Sequence, residues 1–275
     1  MLGAIIGDIV GSVYEFSNIK RKDFPFWGQY CEYTDDSILA IATADWVLHG
    51  GDVAKYYFQY ATTYRSPMGG YGGRFHDWVN EAEYGGHFIP YYSCGNGSAM
   101  RIAPVGWLKS DIPFYGEKYI LKTAQISAEC THNHPEGIKG AQATALCIYL
   151  ARKGRDANEI RNRIAKAFDY DLSLSVDQIR PRYSWQGLDG AGNGGTCQGS
   201  VPQAIVCALE AKDFEDAIRN AVSIGGDSDT IGCITGGIAE ALFGIPGDIR
   251  AKGLSYLPQE LKDVVEEFEL KYGRG

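Results

Sequence analysis

The chain has 275 residues, 45% of them hydrophobic, which suffices for a sizeable core at the upper edge of one domain. Its 34 acidic residues outnumber its 26 basic residues, which gives a net charge of -8. A nucleic-acid-binding protein normally carries a basic patch, and the only short basic run is at residues 20–22. We therefore expect no direct nucleic-acid binding, and no apolar stretch is long enough to predict a membrane span.

The amino-terminal segment MLGAIIGDIV is apolar, but no basic region precedes it and it contains Asp8. These features argue against a signal peptide. The seven cysteines are odd in number and include no CxxC pair, and several lie in apolar helical patterns. We therefore expect reduced cysteines that mostly pack in the core of a cytoplasmic protein.

Helical periodicity dominates the chain, whereas alternating strand patterns are scarce. We interpret Pro202 as lying near the first turn of its helix, where its missing N–H costs little. Glycine-rich segments at 68–73, 84–86 and 188–195 separate the helical patterns. The sequence therefore predicts a compact all-α single domain over residues 1–275, in which long loops carry the function. The predicted helices cover residues 37–48, 141–150, 200–210, 213–221, 230–243 and 258–272.

Two acidic motifs stand at helix starts, Thr-Asp-Asp-Ser at 34–37 and Asp-Ser-Asp-Thr at 227–230. Helix N-capping explains one or two residues of each motif, because an acidic or hydroxyl side chain accepts hydrogen bonds from unpaired backbone N–H groups. Together the motifs hold four carboxylates and two threonine hydroxyls, and carboxylates that meet need cations. All these ligands are oxygen atoms, so Mg²⁺, Mn²⁺ or Ca²⁺ fits better than zinc. Sequence alone does not show that the two motifs meet.

Three loops are candidates for contacting a ligand. The segment 93–98, Ser-Cys-Gly-Asn-Gly-Ser, combines close backbone approach with hydrogen-bonding side chains, and a helix from Ala99 onward favours a pyrophosphate. The alternative is a tight turn capped by Ser98. The loop at 68–73 either contacts the phosphates of a ligand or simply connects to a helix at 74–79, and the segment 185–196 is a candidate to close over a ligand.

Four segments in this order resemble the ADP-ribosylglycohydrolase family: GAIIGDIVGSVYE (3–15), YTDDS (33–37), SCGNGSAMR (93–101) and GGDSDTIG (225–232). That family includes the dinitrogenase-reductase-activating glycohydrolases and the ADP-ribosyl-acceptor hydrolases. One such motif would be weak, but the ordered set is specific. The resemblance implies a compact orthogonal assembly of α-helices, with two divalent cations, Mg²⁺ or Mn²⁺, at the base of an ADP-ribose cleft. The implied metal ligands are Thr34, Asp35, Asp36, Asp227, Asp229 and Thr230.

The resemblance also implies roles for other residues. Glu15 is similar to the flexible glutamate of the branch that cleaves serine-linked ADP-ribose, poly(ADP-ribose) and O-acetyl-ADP-ribose; the alternative is a surface glutamate that ends an apolar helix. His132 aligns with the histidine near the distal ribose and phosphate. A zinc site at Cys130, His132 and His134 lacks a fourth ligand, so we expect His134 to cap or pack. The implied substrate-binding residues are Ser93, Gly95, Asn96, Gly97, Ser98, His132, Gly72 and Gly73.

The expected activity is metal-assisted hydrolysis of the C1″ bond of an ADP-ribosyl group, with Glu15, Asp35 or Asp36 helping to deprotonate water. Ser93 stands where the dinitrogenase-reductase branch has an aspartate, which favours a substrate other than ADP-ribosylarginine. Cys94 stands where the serine-directed branch often has an aromatic residue. The alternatives are an arginine-directed hydrolase and an ADP-ribose-binding module without turnover. We expect Arg101 to pair with an acidic core residue.

Overall fold

The computed structural model describes residues 1–109 and 116–273, and within them the fold is helical. Two short strands, β1 (Tyr183–Ser184) and β2 (Gly187–Leu188), pair antiparallel. The prediction of an all-α fold is confirmed. The helices are α1 Leu2–Ser12, α2 Asp35–His49, α3 Val53–Thr63, α4 Gly73–Gly85, α5 Gly97–Met100, α6 Ala103–Gly106, α7 Gly116–Glu129, α8 Pro135–Arg152, α9 Ala157–Phe168, α10 Val176–Ile179, α11 Cys197–Leu209, α12 Phe214–Ile224, α13 Ser228–Phe243, α14 Gly247–Ser255 and α15 Gln259–Tyr272.

The interpretation of Pro202 was wrong, because α11 begins at Cys197 and Pro202 lies inside the helix. The helix starts earlier than predicted because of contacts with another segment, which the apolar periodicity of the sequence does not reveal. The Cys197 backbone N–H donates to the carbonyl of Cys94 at 2.9 Å, and its thiol contacts the carbonyl of Gly95 at 3.2 Å. These contacts fix the first turn of α11 against the loop at 93–98.

The antiparallel pair α1 and α13 forms the centre of the molecule, and every residue of α1 is buried. Glycines at every fourth position let the two backbones touch. A Cβ atom on Gly7 would stand 1.9 Å from the carbonyl oxygen of Gly232, and one on Gly3 would stand 2.3 Å from that of Gly236. Gly11 faces Ser228 in the same way. The carboxyl end of α1 is therefore held directly beside the amino end of α13.

Two isolated backbone bridges bring loops to this same end of the helix pair. Thr34, immediately before α2, pairs with Met68, which places the glycine-rich loop next to the first acidic motif. Gly95 pairs with Thr196, which joins the loop at 93–98 to the start of α11. The loops that the sequence marks as functional therefore gather at one site.

None of the helices in the described residues is both long and apolar enough to cross a membrane. All seven cysteines are free, and five of them are buried, as predicted. The single-domain organisation, the cytoplasmic location and the lack of nucleic-acid binding stay predictions.

Candidate active site

A cleft of about 530 Å³ opens where α1, α2 and α13 meet the loops. The acidic residues of both motifs lie at one end of it. The glycine-rich loop, the loop at 93–98 and His132 line the remainder. The predicted site residues that line this cleft are Glu15, Gly72, Gly73, Asp35, Asp36, Ser93, Gly95, Asn96, Gly97, His132, Asp227, Asp229 and Thr230.

The two acidic motifs meet, although about 190 residues of the chain separate them. Carboxylate oxygens of Asp8, Asp36 and Asp229 all lie within 4.8 Å of one another, and so do those of Glu15, Asp227 and Asp229. Asp229 is common to both groups. The arrangement therefore has the form of two adjoining oxygen-rich sites with one shared carboxylate.

Positive charge would stabilise the ionised form of the carboxyl groups in this cluster. Burial first, and then the neighbouring aspartates, raises the pKa of Asp36 and of Asp229 well above the usual range. Burial also raises the pKa of Asp8 to about 6, and burial together with Asp227 raises the pKa of Glu15 to about 7. Carboxyl groups in such surroundings hold protons unless a cation balances their charge.

The hydrogen bonds leave room for that cation. Oδ2 of Asp36 accepts from the hydroxyl of Thr230 at 3.3 Å, while its buried Oδ1 has no hydrogen-bond partner among the described residues. The amide of Asn96 donates to Oδ2 of Asp227 at 2.7 Å and so orients that carboxylate. The atoms available as metal ligands are all oxygen atoms, and they fit a hard divalent cation such as Mg²⁺ or Mn²⁺.

Asp8 is a site residue that the sequence reasoning missed. It is buried, and its carboxylate accepts from the backbone N–H and the hydroxyl of Thr34, at 3.0 and 2.7 Å. It also accepts from the N–H of Ser37 at 3.1 Å and from the Ser37 hydroxyl. The hydroxyl of Thr34 is thus bonded to Asp8 and does not line the cleft. An aspartate inside an otherwise apolar helix was the available signal.

The loop at 93–98 adjoins the carboxylates, since Asn96 contacts Asp227, and it lines the cleft with Ser93, Gly95, Asn96 and Gly97. The hydroxyl of Ser93 accepts from the N–H of Gly95 at 3.0 Å, which holds the turn. Ser98 lies outside the cleft, because its buried hydroxyl donates to the carbonyl of Gly137 at 2.7 Å. The helix predicted from Ala99 onward is only the single turn α5. Binding of an anion here therefore depends on individual donors more than on a helix terminus.

His132 is buried beside this loop. Its Nδ1 lies 2.8 Å from the hydroxyl of Thr131, and burial, together with Arg101 and Arg74, holds its pKa well below the usual range. The ring is therefore neutral. His134 caps α8, since its Nδ1 accepts from the N–H of Glu136 at 3.0 Å, and this confirms the capping interpretation.

The zinc alternative finds no support in the described residues. The potential metal-binding groups within them consist of carboxylates, and neither group includes Cys130, His132 or His134.

The expectation that Arg101 pairs with an acidic core residue is wrong. Within the described chain, its buried guanidinium lies 3.9 Å from the centre of the Tyr57 ring and donates to the carbonyl of Ser127 and the hydroxyl of Thr131, both at 2.8 Å. Its Nε and Nη1 atoms have no hydrogen-bond partner there. Arg101 lines the cleft, and so does Arg74, which the sequence reasoning did not select. Both contribute positive charge to the cleft lining.

The remaining cleft wall surrounds Glu15. The indole of Trp185 donates to the backbone carbonyl of Glu15 at 3.0 Å. A Cβ atom on Gly69 would stand 3.0 Å from Oε2 of Glu15, whereas one on Gly72 or Gly73 would meet nothing within 4 Å. The cleft is therefore narrow at the carboxylates and open along the later part of the glycine-rich loop.

Comparisons with known proteins find relatives that match most of this chain. ADP-ribosylarginine hydrolase Tri1 of Pseudomonas putida (strain GB-1) is 27% identical over 276 residues, covering 90% of this chain and 70% of that protein. ADP-ribosylhydrolase ARH3 of Homo sapiens is 27% identical over 315 residues, covering 89% and 84%. A solved structure described as an ADP-ribosylglycohydrolase-related protein complex has a TM-score of 0.69 at 23% identity, covering 99% and 97%, and shows the same fold.

A family model described as ADP-ribosylglycohydrolase matches residues 1–274, which is nearly the whole chain. The resemblance inferred from the four motifs is thereby confirmed, and the chain belongs to the ADP-ribosylglycohydrolase family.

Proposed function

We propose that this protein is a divalent-cation-dependent hydrolase that cleaves the bond at C1″ of ADP-ribosyl groups. The observation that carries the proposal is the convergence of five carboxylates from three separate chain segments at one end of a cleft. Beside them, the cleft is lined by the loop at 93–98, whose Asn96 contacts Asp227, and by the neutral His132. One ligand with a ribose at the carboxylates and a pyrophosphate beside this loop satisfies both sets of residues.

Two cations would be held by the aspartates of the two motifs, with Asp229 shared between them. Bound there, Mg²⁺ or Mn²⁺ would supply charge that orients ribose hydroxyls and stabilises the transition state. Thr230 supports Asp36 and Asn96 supports Asp227 through the hydrogen bonds described above. Asp8 completes the support by tying the start of α2 to α1.

Glu15 is the residue that we assign to proton transfer. It lies beside Asp227 and Asp229 and lines the cleft, so its carboxylate is placed to accept a proton next to the cation site. A water molecule held by this carboxylate is suited to attack the anomeric carbon as oxocarbenium character develops. Asp35, half-buried in the same cleft wall, is the second candidate for this role.

The proposal is tested by following release of free ADP-ribose from ADP-ribosylated substrates by the full chain. We expect release with Mg²⁺, its loss in EDTA, and its recovery when Mg²⁺ or Mn²⁺ is added in excess. Asp36→Asn and Asp229→Asn should abolish release, while Asp23→Asn, which changes an exposed aspartate, should not. Binding of ADP-ribose without any release would refute the proposal and favour a binding module.

The acceptor that we favour is an oxygen, as in serine-linked ADP-ribose, O-acetyl-ADP-ribose or poly(ADP-ribose). Ser93 supports this choice because the dinitrogenase-reductase branch has an aspartate at that position. The second candidate is an arginine linkage, and the similarity to ADP-ribosylarginine hydrolase Tri1 favours it. Rates on a panel of the four substrates decide between them, and faster cleavage of ADP-ribosylarginine would refute our choice.

A further inference from the structure

A chain of three buried side chains leads from the core to the cleft wall. Arg101 donates to the hydroxyl of Thr131 at 2.8 Å, and that hydroxyl lies 2.8 Å from Nδ1 of His132. All three residues are buried. The backbone N–H groups of Thr131 and His132 both donate to the carbonyl of Ala128, at 3.1 and 2.7 Å, so the segment after α7 is held rigidly.

The direction of these hydrogen bonds follows from the donors available. A guanidinium only donates, so the Thr131 oxygen accepts from Arg101. The Thr131 hydroxyl then has one proton to place, and Nδ1 of His132 is the neighbouring acceptor. The opposite arrangement, with a proton on Nδ1, would leave the hydroxyl proton only the sulfur of Cys130, which is a much weaker acceptor than an imidazole nitrogen.

The other ring nitrogen faces the loop at 93–98. Nε2 of His132 lies 3.1 Å from the position that a Cβ atom on Gly97 would occupy, and 3.5 Å from that on Gly95. Within the described residues Nε2 makes no hydrogen bond, and the ring lines the cleft. A proton on Nε2 therefore points at whatever ligand the two glycines allow to approach.

We propose that Arg101 and Thr131 are positioning residues that fix His132 as the neutral tautomer protonated on Nε2, ready to donate to a phosphate oxygen of the ligand. The phosphate rests on the proposed function, whereas the tautomer depends only on this chain. Arg101 also opposes a second proton on the ring, because its charge adds to the effect of burial. The positive charge thus stays on Arg101 while a neutral N–H makes the contact.

The tautomer can be read directly by ¹⁵N NMR of the imidazole nitrogens in the full chain without ligand. The signals of His132 are assigned by their loss in His132→Gln. We expect an unprotonated Nδ1 and a protonated Nε2 in the wild type. A dominant Nδ1–H form would overturn the proposal, whatever the enzyme binds.

Three threonine variants distinguish the relay of hydrogen bonds, from Arg101 through Thr131 to His132, from an effect of packing alone. Thr131→Val keeps the shape but removes the hydroxyl, so the tautomer preference should be lost and the affinity for ADP-ribose in Mg²⁺ should fall about tenfold. Thr131→Ser should restore both properties. Thr123→Val is the control, because the Thr123 hydroxyl donates to a helix carbonyl in α7 and should affect neither.

Loss of affinity in Thr131→Val with an unchanged tautomer would overturn the relay, since the residue would then act by packing alone. An unchanged affinity would overturn it as well. If wild-type protein fails to bind ADP-ribose, the proposed function fails, while the ligand-free NMR spectrum still decides the tautomer.

Discussion

The contact between α1 and α13 predicts a large effect from a very small substitution, Gly7→Ala. The new methyl carbon would stand 1.9 Å from the carbonyl oxygen of Gly232, although ordinary contact begins near 3.4 Å. The obstacle is backbone in the middle of a helix and cannot rotate away. The two helices must therefore separate locally, by a displacement on the order of 1.5 Å.

The magnitude follows from two opposing effects. Alanine is favoured over glycine inside a helix by about 1 kcal/mol. Overpacking a core costs typically 1–3 kcal/mol, and more when no side chain can yield. Since only backbone can move here, we expect the free energy of unfolding to fall by about 2 kcal/mol or more. For a chain of this length, that lowers Tm by roughly 4 °C or more.

Urea and thermal unfolding of Gly7→Ala, followed by circular dichroism, measure this change. Gly247→Ala is the matched control, because Gly247 also lies in a helix and its Cβ would meet nothing within 4 Å. We expect the control to be unchanged or slightly more stable. Gly7 precedes Asp8, so Gly7→Ala should also weaken the stabilisation by Mg²⁺. Stability within about 0.5 kcal/mol of wild type would refute the close-packing argument.

Three further predictions concern the charges and polar groups of the core. Asp8 and Glu15 have pKa values of about 6 and about 7 in the folded protein, above the ordinary 3.8 and 4.5, so the folded state keeps protons that the unfolded chain has lost. In EDTA the free energy of unfolding should therefore fall as pH rises from about 4 to about 7. Mg²⁺ should restore this free energy most at the upper end of that pH range. Urea titrations that show no such fall in EDTA would contradict the prediction. Asp36→Asn should raise Tm in EDTA at pH 8, because it removes a carboxyl group that must take up a proton or carry a buried charge on folding. The same substitution should abolish the Tm increase caused by Mg²⁺; an unchanged Mg²⁺ response would argue against Asp36 as a ligand. Thr144→Val should stabilise the protein by about 1 kcal/mol, since the buried Thr144 hydroxyl has no partner in the part of the chain that the structure describes. Thr235→Val should instead destabilise it, because the Thr235 hydroxyl donates to the carbonyl of Ala204; equal effects on urea unfolding would contradict this.

The sequence predicted the helical fold because apolar periodicity and capping residues are local signals. Thr34 illustrates their strength and their limit. It caps α2, since its hydroxyl accepts from the N–H of Asp36 at 3.2 Å, as a capping interpretation requires. The same hydroxyl donates to Asp8. Capping and site assembly are therefore not alternatives here, and the motif serves both.

What the sequence did not predict arises from contacts between distant segments. Asp8 is the single charged residue of the apolar helix α1, and only the position of α2 shows which groups it binds. Arg101 was expected to find a carboxylate, because a buried cation usually needs one. It is accommodated instead by the Tyr57 ring and by oxygen atoms of Ser127 and Thr131, all of which come from other helices or their ends. The type of a buried residue shows that it needs a partner, whereas the fold determines which residue that partner is.

The glycine contact and the carboxylate cluster are two parts of one arrangement. Carboxylates that repel one another destabilise the site unless cations are bound, so the scaffold must hold them at short distances against that repulsion. The pair α1 and α13 does this with backbone touching backbone, where rotation of side chains cannot relieve the strain. Asp8 and Asp229, one on each helix, are thereby kept within 4.8 Å. Because a looser pair would let the carboxylates move apart, the close helix contact should strengthen cation binding as well as the fold.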